Sequence, residues 1–598
     1  MRKQPALVEY DVAAPAGSSR LWLYLIVWCC ACHTQEDTMK QWVRRGLWWG
    51  GLLSLVVAVA WAQTTRPPSA AKSKLERLRI AVTPLGWDTN LTWLQTRSGM
   101  LDKRPALEYL VGIDRYTGAY IPELAEKWVM SPDGKDWTVT LRQGIPFHDN
   151  WGEFSARDVR HAVFLISQPE AAASDTSIWR SVMGIGKADT VEEVARKVEQ
   201  GVEIRNNYEV VFHLQQAVPE FLYMISANAD LVMESKARWD AGGKELYGQK
   251  VVGTGPFEFV ERKVGSHVLY KRVEKHWRQT PEYKELEFRW VPEGVTRLAT
   301  LMAGEVHIAD IDRALQRDAV SKGMQVVESK LPAMQHQWHF GGTYFATPDK
   351  LDPKIPFVKR EVRQAMNKAV NRQAIADNLL GGKIQPHRVM GFHPQLDSAI
   401  WPGIWNPRWE QRFEDTHGYD PAQAKALLAQ AGYPQGFEFT LYLYTLPGLA
   451  EIIDIGQAMA LDFQAIGLKP TLVELEFPRV RELYRTKAIH GGLFPSRHSS
   501  RALETTRNVH KAKDSSGYWY EHPVIEERLE ALRTVVDTAE RSRLLREIGD
   551  HKFDAFAEIP MFWLFAEAVV NPKYIAEYAF PGVITGSFTH LEYIKVAQ

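Results

Sequence analysis

Between Tyr120 and Ile166 the spacing of apolar and polar positions changes three times, and each change predicts a different element. Leu124, Ala125 and Trp128 recur at the spacing of one helical face, with Pro122 placed where a first helical turn tolerates proline. Asp133-Gly134 marks a turn. Trp137, Val139 and Leu141 then alternate with Thr138, Thr140 and Arg142, the period of a half-buried strand, which Gly144 closes. Ser155 to Asp158 has the spacing of a capping box and opens a helix whose Val159, Val163 and Ile166 share a face.

The same alternation of periods continues along the chain. Leu78 to Val82 predicts a strand that runs into the loop Pro84 to Trp87. A helix is expected around Val191 to Glu199 and a strand over Glu209 to Leu214. Trp338 to Phe345 reads as another strand. Asp420 caps a helix with Pro421 in its first turn and Gly432 at its close. Strands over Phe437 to Tyr444 and Lys469 to Leu475 flank an amphipathic helix from Ala450 to Ile466, so this part of the chain reads as α/β.

Five local motifs in the opening stretch resemble the signature of the family 5 extracellular solute-binding proteins, the oligopeptide, dipeptide and nickel receptors of ABC importers. They are Pro122 to Trp128 (PELAEKW), Ser131 to Lys135 (SPDGK), Leu141 to Gly144 (LRQG), Phe147 to Asp149 (FHD) and Ala156 to Val159 (ARDV). The family usually places glycine where Asn150 stands. The likeness continues through Gly253-Thr254-Gly255-Pro256, through Arg297 to Asp310, and through Arg363, Gln364, Ala365, Ala369 and Arg372. It includes Tyr419 to Tyr433, and it covers the chain from about Leu75 to the C-terminus apart from a weak patch at Gly491 to Tyr520. The resemblance implies two α/β lobes in a Venus flytrap arrangement, with an extra subdomain inserted in the first lobe. The expected division is a first lobe at 75–119, an inserted subdomain at 120–249, a return to the first lobe at 250–335, a second lobe at 336–555, and a final return at 556–598. A Gly-x-Gly pair at Gly253 and Gly255 invites a phosphate-loop reading, but no Lys-Ser/Thr pair follows at the required spacing. The resemblance makes it a structural turn.

Composition and address narrow the function. Lys plus Arg and Asp plus Glu both number 72, which gives no basic surface for nucleic acid. From Met39, basic Lys40, Arg44 and Arg45 precede an apolar run from Gly46 to Ala60 and the small-residue site Ala60-Trp61-Ala62. This is the order of a secretory signal peptide at 39–62, with cleavage expected after Ala62 and delivery to the periplasm. Residues 1–38 would be an extension and 63–74 a disordered leader; membrane anchoring by the two apolar runs is the competing reading. Cys29, Cys30 and Cys32 all precede the expected cut, so neither disulfides nor a lipid anchor are expected beyond it.

No His-Glu-x-x-His, Gly-x-Ser-x-Gly or phosphate-loop motif is present, so no enzymatic activity, cofactor or metal is expected. His336 and His339, three apart in a strand, are expected on opposite faces. The weak patch carries the candidate chemistry. Gly491 to Lys513 holds Arg497, Arg501, Arg507, Lys511 and Lys513 against a single acid, Glu504. Peptide-binding members of the family have an aspartate in this region that meets the peptide's amino terminus. Here Arg497, His498 and Arg501 suit an anionic or sugar-like group instead, against the alternative of a solvated basic loop. Trp87, Trp93, Trp338 and Tyr344 complete the candidate ligand-binding set, although a tryptophan more often belongs to the core. The resemblance implies a monomeric receptor that delivers a peptide or small molecule to an ABC permease and its ATPase at the inner membrane. An exported hydrolase or chaperone-like protein on the same scaffold is the alternative.

Overall fold

The computed structural model describes residues 75–83, 88–395, 402–444, 449–498, 509–513, 517–582 and 588–597. The first lobe opens with β1 (Arg77–Val82), followed by the hairpin of β2 (Val111–Ile113) and β3 (Tyr120–Pro122). Four strands then form a separate antiparallel sheet: β4 (Ala125–Met130), β5 (Asp136–Leu141), β6 (Val202–Asn206) and β7 (Glu209–His213), in the order β4-β5-β7-β6. The chain returns through β8 (Phe257–Lys263), β9 (His267–Arg272), β10 (Glu285–Trp290) and β11 (Ile308–Ala309). It crosses to the second lobe on the long β12 (Gln325–Phe340). There it forms β13 (Gln385–Pro386), β14 (Glu438–Leu443), β15 (Lys469–Glu474) and β16 (Gly492–His498). Strand β17 (Glu558–Val570) crosses back, and β18 (Ile575–Glu577) and β19 (Lys595–Val596) pair near the end.

One sheet runs through both lobes in the order β15-β14-β16-β12-β17-β11-β1-β10-β9-β8, with β13 on β17. Its spine is the antiparallel pair β12 and β17, in register from Gln325 opposite Val570 to His339 opposite Glu558. Ala333, Ala566 and Ala568 face the first-lobe core, and Met334 and Leu564 face the second-lobe core. Both strands therefore change cores at the same level. The ladder is irregular on either side of Pro332, which has no amide to donate. A third core, built from Leu110 to Met233, lies under the four-stranded sheet.

Most elements with clear local signals form where the spacing places them. The Ser155–Asp158 capping box opens the helix Ala156–Ser167, with the Ser155 amide donating to Asp158 at 2.8 Å. Asp420 accepts from the Gln423 amide at 2.9 Å at the head of the helix Pro421–Gln430. Asn150 stands at φ 59°, a left-handed conformation that asparagine tolerates better than most side chains, which accounts for its replacing glycine.

Two expectations are corrected. The Pro122 to Trp128 stretch is not a helix: Pro122 ends β3 and Ala125 to Trp128 lie in β4, with Trp128 opposite Val139. A register shift between Ala125 and Lys127 breaks the alternation, so the strand imitates a helical spacing. The strand expected at Trp338 starts at Gln325 and stops at Phe340, before Gly342 turns the chain at φ 96°. His336 and His339 face opposite sides of β12 as expected: β12 alternates without a break against β16, His336 lies beside Trp338 and reaches the Ser496 main-chain carbonyl, and His339 shares the Ser496 hydroxyl with Gln337.

The Gly253-Thr254-Gly255-Pro256 stretch packs as a turn against the backbone of Pro105 to Leu107. The Gly255 amide donates to the Ala106 carbonyl at 3.0 Å, and a Cβ on Gly255 would lie 2.6 Å from the carbonyl carbon of Ala106. Gly255→Ala is expected to cost about 1–3 kcal/mol through this backbone overlap, measured as a lower urea midpoint.

Candidate functional site

The lobes meet beside the second-lobe half of β12, where β16 pairs with it and sets His336 opposite Arg497 and Gln335 opposite His498. The buried face built there is polar. Ser496 Oγ contacts His339 Nε2 at 2.7 Å and accepts from Gln337 Nε2 at 2.6 Å, while His336 Nδ1 donates to the Ser496 carbonyl at 2.9 Å. The His339 ring lies 4.0 Å from that of Trp519, and His510 Nδ1 donates to the Tyr520 carbonyl at 2.8 Å.

Burial holds these imidazoles neutral: it pushes His336 and His498 down to about 4 and His387 down to about 3, and takes His339 and His510 well below the ordinary range. Among the described residues no group of His, Cys, Asp and Glu is arranged to hold a metal ion. Lys552 lies 3.4 Å from Glu558 and donates to the Met390 carbonyl at 2.8 Å, so its charge is balanced locally.

Arg497 is different. Burial lowers its guanidinium to about 10, the neutral Tyr444 phenol is its titratable neighbour, and its Nε has no hydrogen-bond partner. No carboxylate among the described residues forms an ion pair with it. After burial, the charges that hold His498 down are Arg97 of the first lobe, Arg497 and Lys552. Arg97 donates to both oxygens of Asp175 at 2.7 Å, lies 3.3 Å from Asp230, and stands over the Tyr223 ring at 5.8 Å. With Arg97 and Lys552 compensated and Arg497 not, the described residues of this face carry surplus positive charge.

Ion pairs connect the lobes at several places among the described residues. Arg541 of the helix Thr538–Ala555 reaches Glu220 at 2.9 Å and also donates to the Leu532 and Val535 carbonyls at 2.7 Å. Arg313 lies 2.9 Å from Glu567 and 3.6 Å from Glu451. Glu220→Gln removes charge from the first of these pairs and keeps the shape of the side chain. The expected result is a ligand off-rate raised about fivefold, since about 1 kcal/mol in a two-state equilibrium is a factor near five. Stopped-flow release kinetics measure it.

The residues singled out in the sequence have different positions. Arg497 and His498 are brought together on β16 at the lobe junction. Trp87 and Arg501 lie outside the described residues. Trp93 is buried, donates to Glu170 at 3.1 Å, and packs with Trp239 and Tyr247. Trp338 is fully buried in the second-lobe core against Gly456, and Tyr344, also fully buried, donates to the Ile489 carbonyl at 3.2 Å. None of these three aromatic residues offers a face to solvent. Sequence reading missed Arg97, Tyr223, Trp519 and Lys552, because their association depends on contacts between segments hundreds of residues apart.

Among the described residues no helix is long and apolar enough to cross a membrane, and the signal-peptide reading of 39–62 lies outside them. The family model of the bacterial extracellular solute-binding proteins, family 5 Middle, matches residues 119–496. The chain is 27% identical to heme-binding protein A of Haemophilus influenzae over 388 residues, 62% of this chain and 65% of that protein. It is 27% identical to the dipeptide-binding protein of Escherichia coli over 395 residues, 62% of this chain and 66% of that protein. The match therefore spans less than two-thirds of the length of either relative. The structure of the periplasmic binding protein AgaA from Agrobacterium in complex with agropinic acid aligns at a TM-score of 0.65 with 21% identity, covering 87% of this chain and 99% of that one. The chain belongs to the bacterial extracellular solute-binding proteins of family 5.

Proposed function

We propose that this protein is a periplasmic receptor that captures a peptide-sized solute bearing a carboxylate or other anionic group between its lobes and passes it to an ABC permease. The observation that carries the anionic preference is Arg497, a half-buried arginine on the lobe-facing strand that no described carboxylate pairs with. A guanidinium in that setting is stabilised by an oxyanion that arrives with the ligand, in a charge-assisted and often bidentate hydrogen bond. Arg97, Tyr223 and Trp519 supply the surrounding contacts, and closure of the lobes would be favoured by the Arg541–Glu220 pair. The acidic ligand in the AgaA complex is consistent with this chemistry.

The role is capture without conversion. The histidines beside Arg497 are held neutral by burial, and no side chain described there pairs a nucleophile with a base and an orienting acid. Native mass spectrometry of the exported protein, purified without unfolding, tests the reading. An acidic or acidic-sugar compound that leaves the protein unchanged is the expected release. A peptide anchored only by its free amine would overturn the anionic assignment, and catalytic turnover of the bound compound would overturn the receptor assignment.

A further inference from the structure

Arg313, at the head of the helix Arg313–Ser321 in the first lobe, faces two acids that belong to different parts of the molecule. One is Glu567 on the first-lobe half of β17, 2.9 Å from Arg313 Nε. The other is Glu451, which precedes the second-lobe helix Ile452–Ala465 and lies 3.6 Å from Arg313 Nη1. The side chains of Arg313, Glu567 and Glu451 are nearly sealed from water, at 12%, 7% and 9% exposed. A charge contact in such a setting acts more strongly than one at the surface, and its loss leaves the remaining charge with neither partner nor full hydration.

The two acids are not equivalent. Glu567 also accepts from Gln316 Nε2 at 3.0 Å, and Gln316 and Arg313 stand on the same first-lobe helix, so separation of the lobes leaves Glu567 served. Glu451 comes from the other lobe, and its Oε2 has no hydrogen-bond partner among the described residues. Burial pushes its carboxyl up, Arg313 pulls it down, and Asp312 and Glu567 push it up again. Arg297, the neighbouring base, lies 3.6 Å from Asp312 and donates to the carbonyls of Val291, Pro292 and Asp310. Arg313 thus holds a second-lobe carboxylate against the repulsion of two first-lobe carboxylates.

A second interlobe pair supplies the contrast. Lys383 reaches Glu328 at 2.7 Å, but the two side chains are 45% and 37% exposed, where water and salt replace most of the contact.

We propose that Arg313 is a positioning residue that sets the balance between closed and open lobes. With its charge present, the Glu451 corner of the second lobe is held against the first; without it, Glu567 and Asp312 drive the same corner away. The device acts on the lobes themselves, so it goes beyond the capture reading and is independent of the solute's chemistry.

Single-molecule energy transfer on the full chain, without added solute, counts closed and open molecules. The dyes are carried by V264C in the first lobe and L461C in the second, both at exposed positions, with Cys29, Cys30 and Cys32 replaced by serine. R313Q is expected to lower the closed-to-open ratio by about tenfold or more, and K383Q by less than about threefold. R313Q/E451Q removes the repelled charge as well and should bring the ratio back to within about threefold of the parent, a rescue that a merely structural role would not give. E567Q leaves Arg313 to Glu451 and should raise the ratio by about threefold or more, which decides the matter if R313Q fails to fold. A ratio unchanged in R313Q, a double variant as open as R313Q, or an E567Q protein no more closed than the parent would overturn the proposal and leave the anionic reading of Arg497 untouched.

Discussion

The R497Q protein binds the native solute about 10- to 100-fold more weakly than the parent, and its unfolding midpoint is equal or higher. A hydrogen bond to a charged group contributes about 1.5–3 kcal/mol, which sets the size of the loss. The stability side follows from the same environment: burial already disfavours the charged guanidinium, and no carboxylate among the described residues offsets the cost of keeping it there. A neutral amide relieves that cost while removing the anchor, the pattern of a residue retained for binding at the expense of stability. Titration calorimetry with the solute released from the native protein, run beside a thermal melt, separates the two effects. An unchanged affinity would remove Arg497 from the site.

The largest expected effect on stability comes from Arg363, which sits in the helix Arg360–Ala369 and is 3% exposed. Its guanidinium donates to Ala555 from Nε at 2.9 Å and Nη2 at 2.7 Å, to Phe556 at 3.2 Å, to Phe357 at 2.7 Å and to Val358 at 3.0 Å. Phe345 and Tyr520 lie beside it at 5.6 and 5.7 Å. Phe556 closes the helix Thr538–Ala555 at φ 51°, a conformation that is uncommon outside glycine, and Arg363 holds its carbonyl in place. Arg363→Met keeps the apolar stem and leaves four carbonyls without this donor, for an expected loss of about 3–5 kcal/mol. Arg360→Ala, which removes one bond to the Asp554 carbonyl from an exposed side chain, is expected to cost less than about 1 kcal/mol. Urea titration of the two variants side by side measures the contrast. A loss below about 1 kcal/mol for Arg363→Met would show that water can take over the role of the guanidinium.

What the sequence made legible was decided within a few residues. The Ser155–Asp158 box, the Asp420 cap and the alternation from Trp137 to Leu141 carry their own causes, and each produced the expected element. The error at Leu124–Trp128 comes from an extra residue in one strand of a pair. Such a shift depends on the partner strand and leaves no mark in the local spacing. The site was legible only in part for a related reason. Arg497 and His498 stood out because the segment around them has almost no acid, whereas Arg97 joins them only after Asp175 and Asp230 have positioned it.

The paired crossing strands also bear on which solutes can be held. Since β12 and β17 run side by side through both lobes, the walls never separate by diffusion. A solute resting on β16 therefore meets the first-lobe wall as an intramolecular partner, at an effective concentration in about the millimolar range for a short connection. Two weak half-sites then multiply into one tight site only for molecules long enough to touch both. The tether thus selects by reach, and a short anion that satisfies Arg497 alone would gain nothing from it.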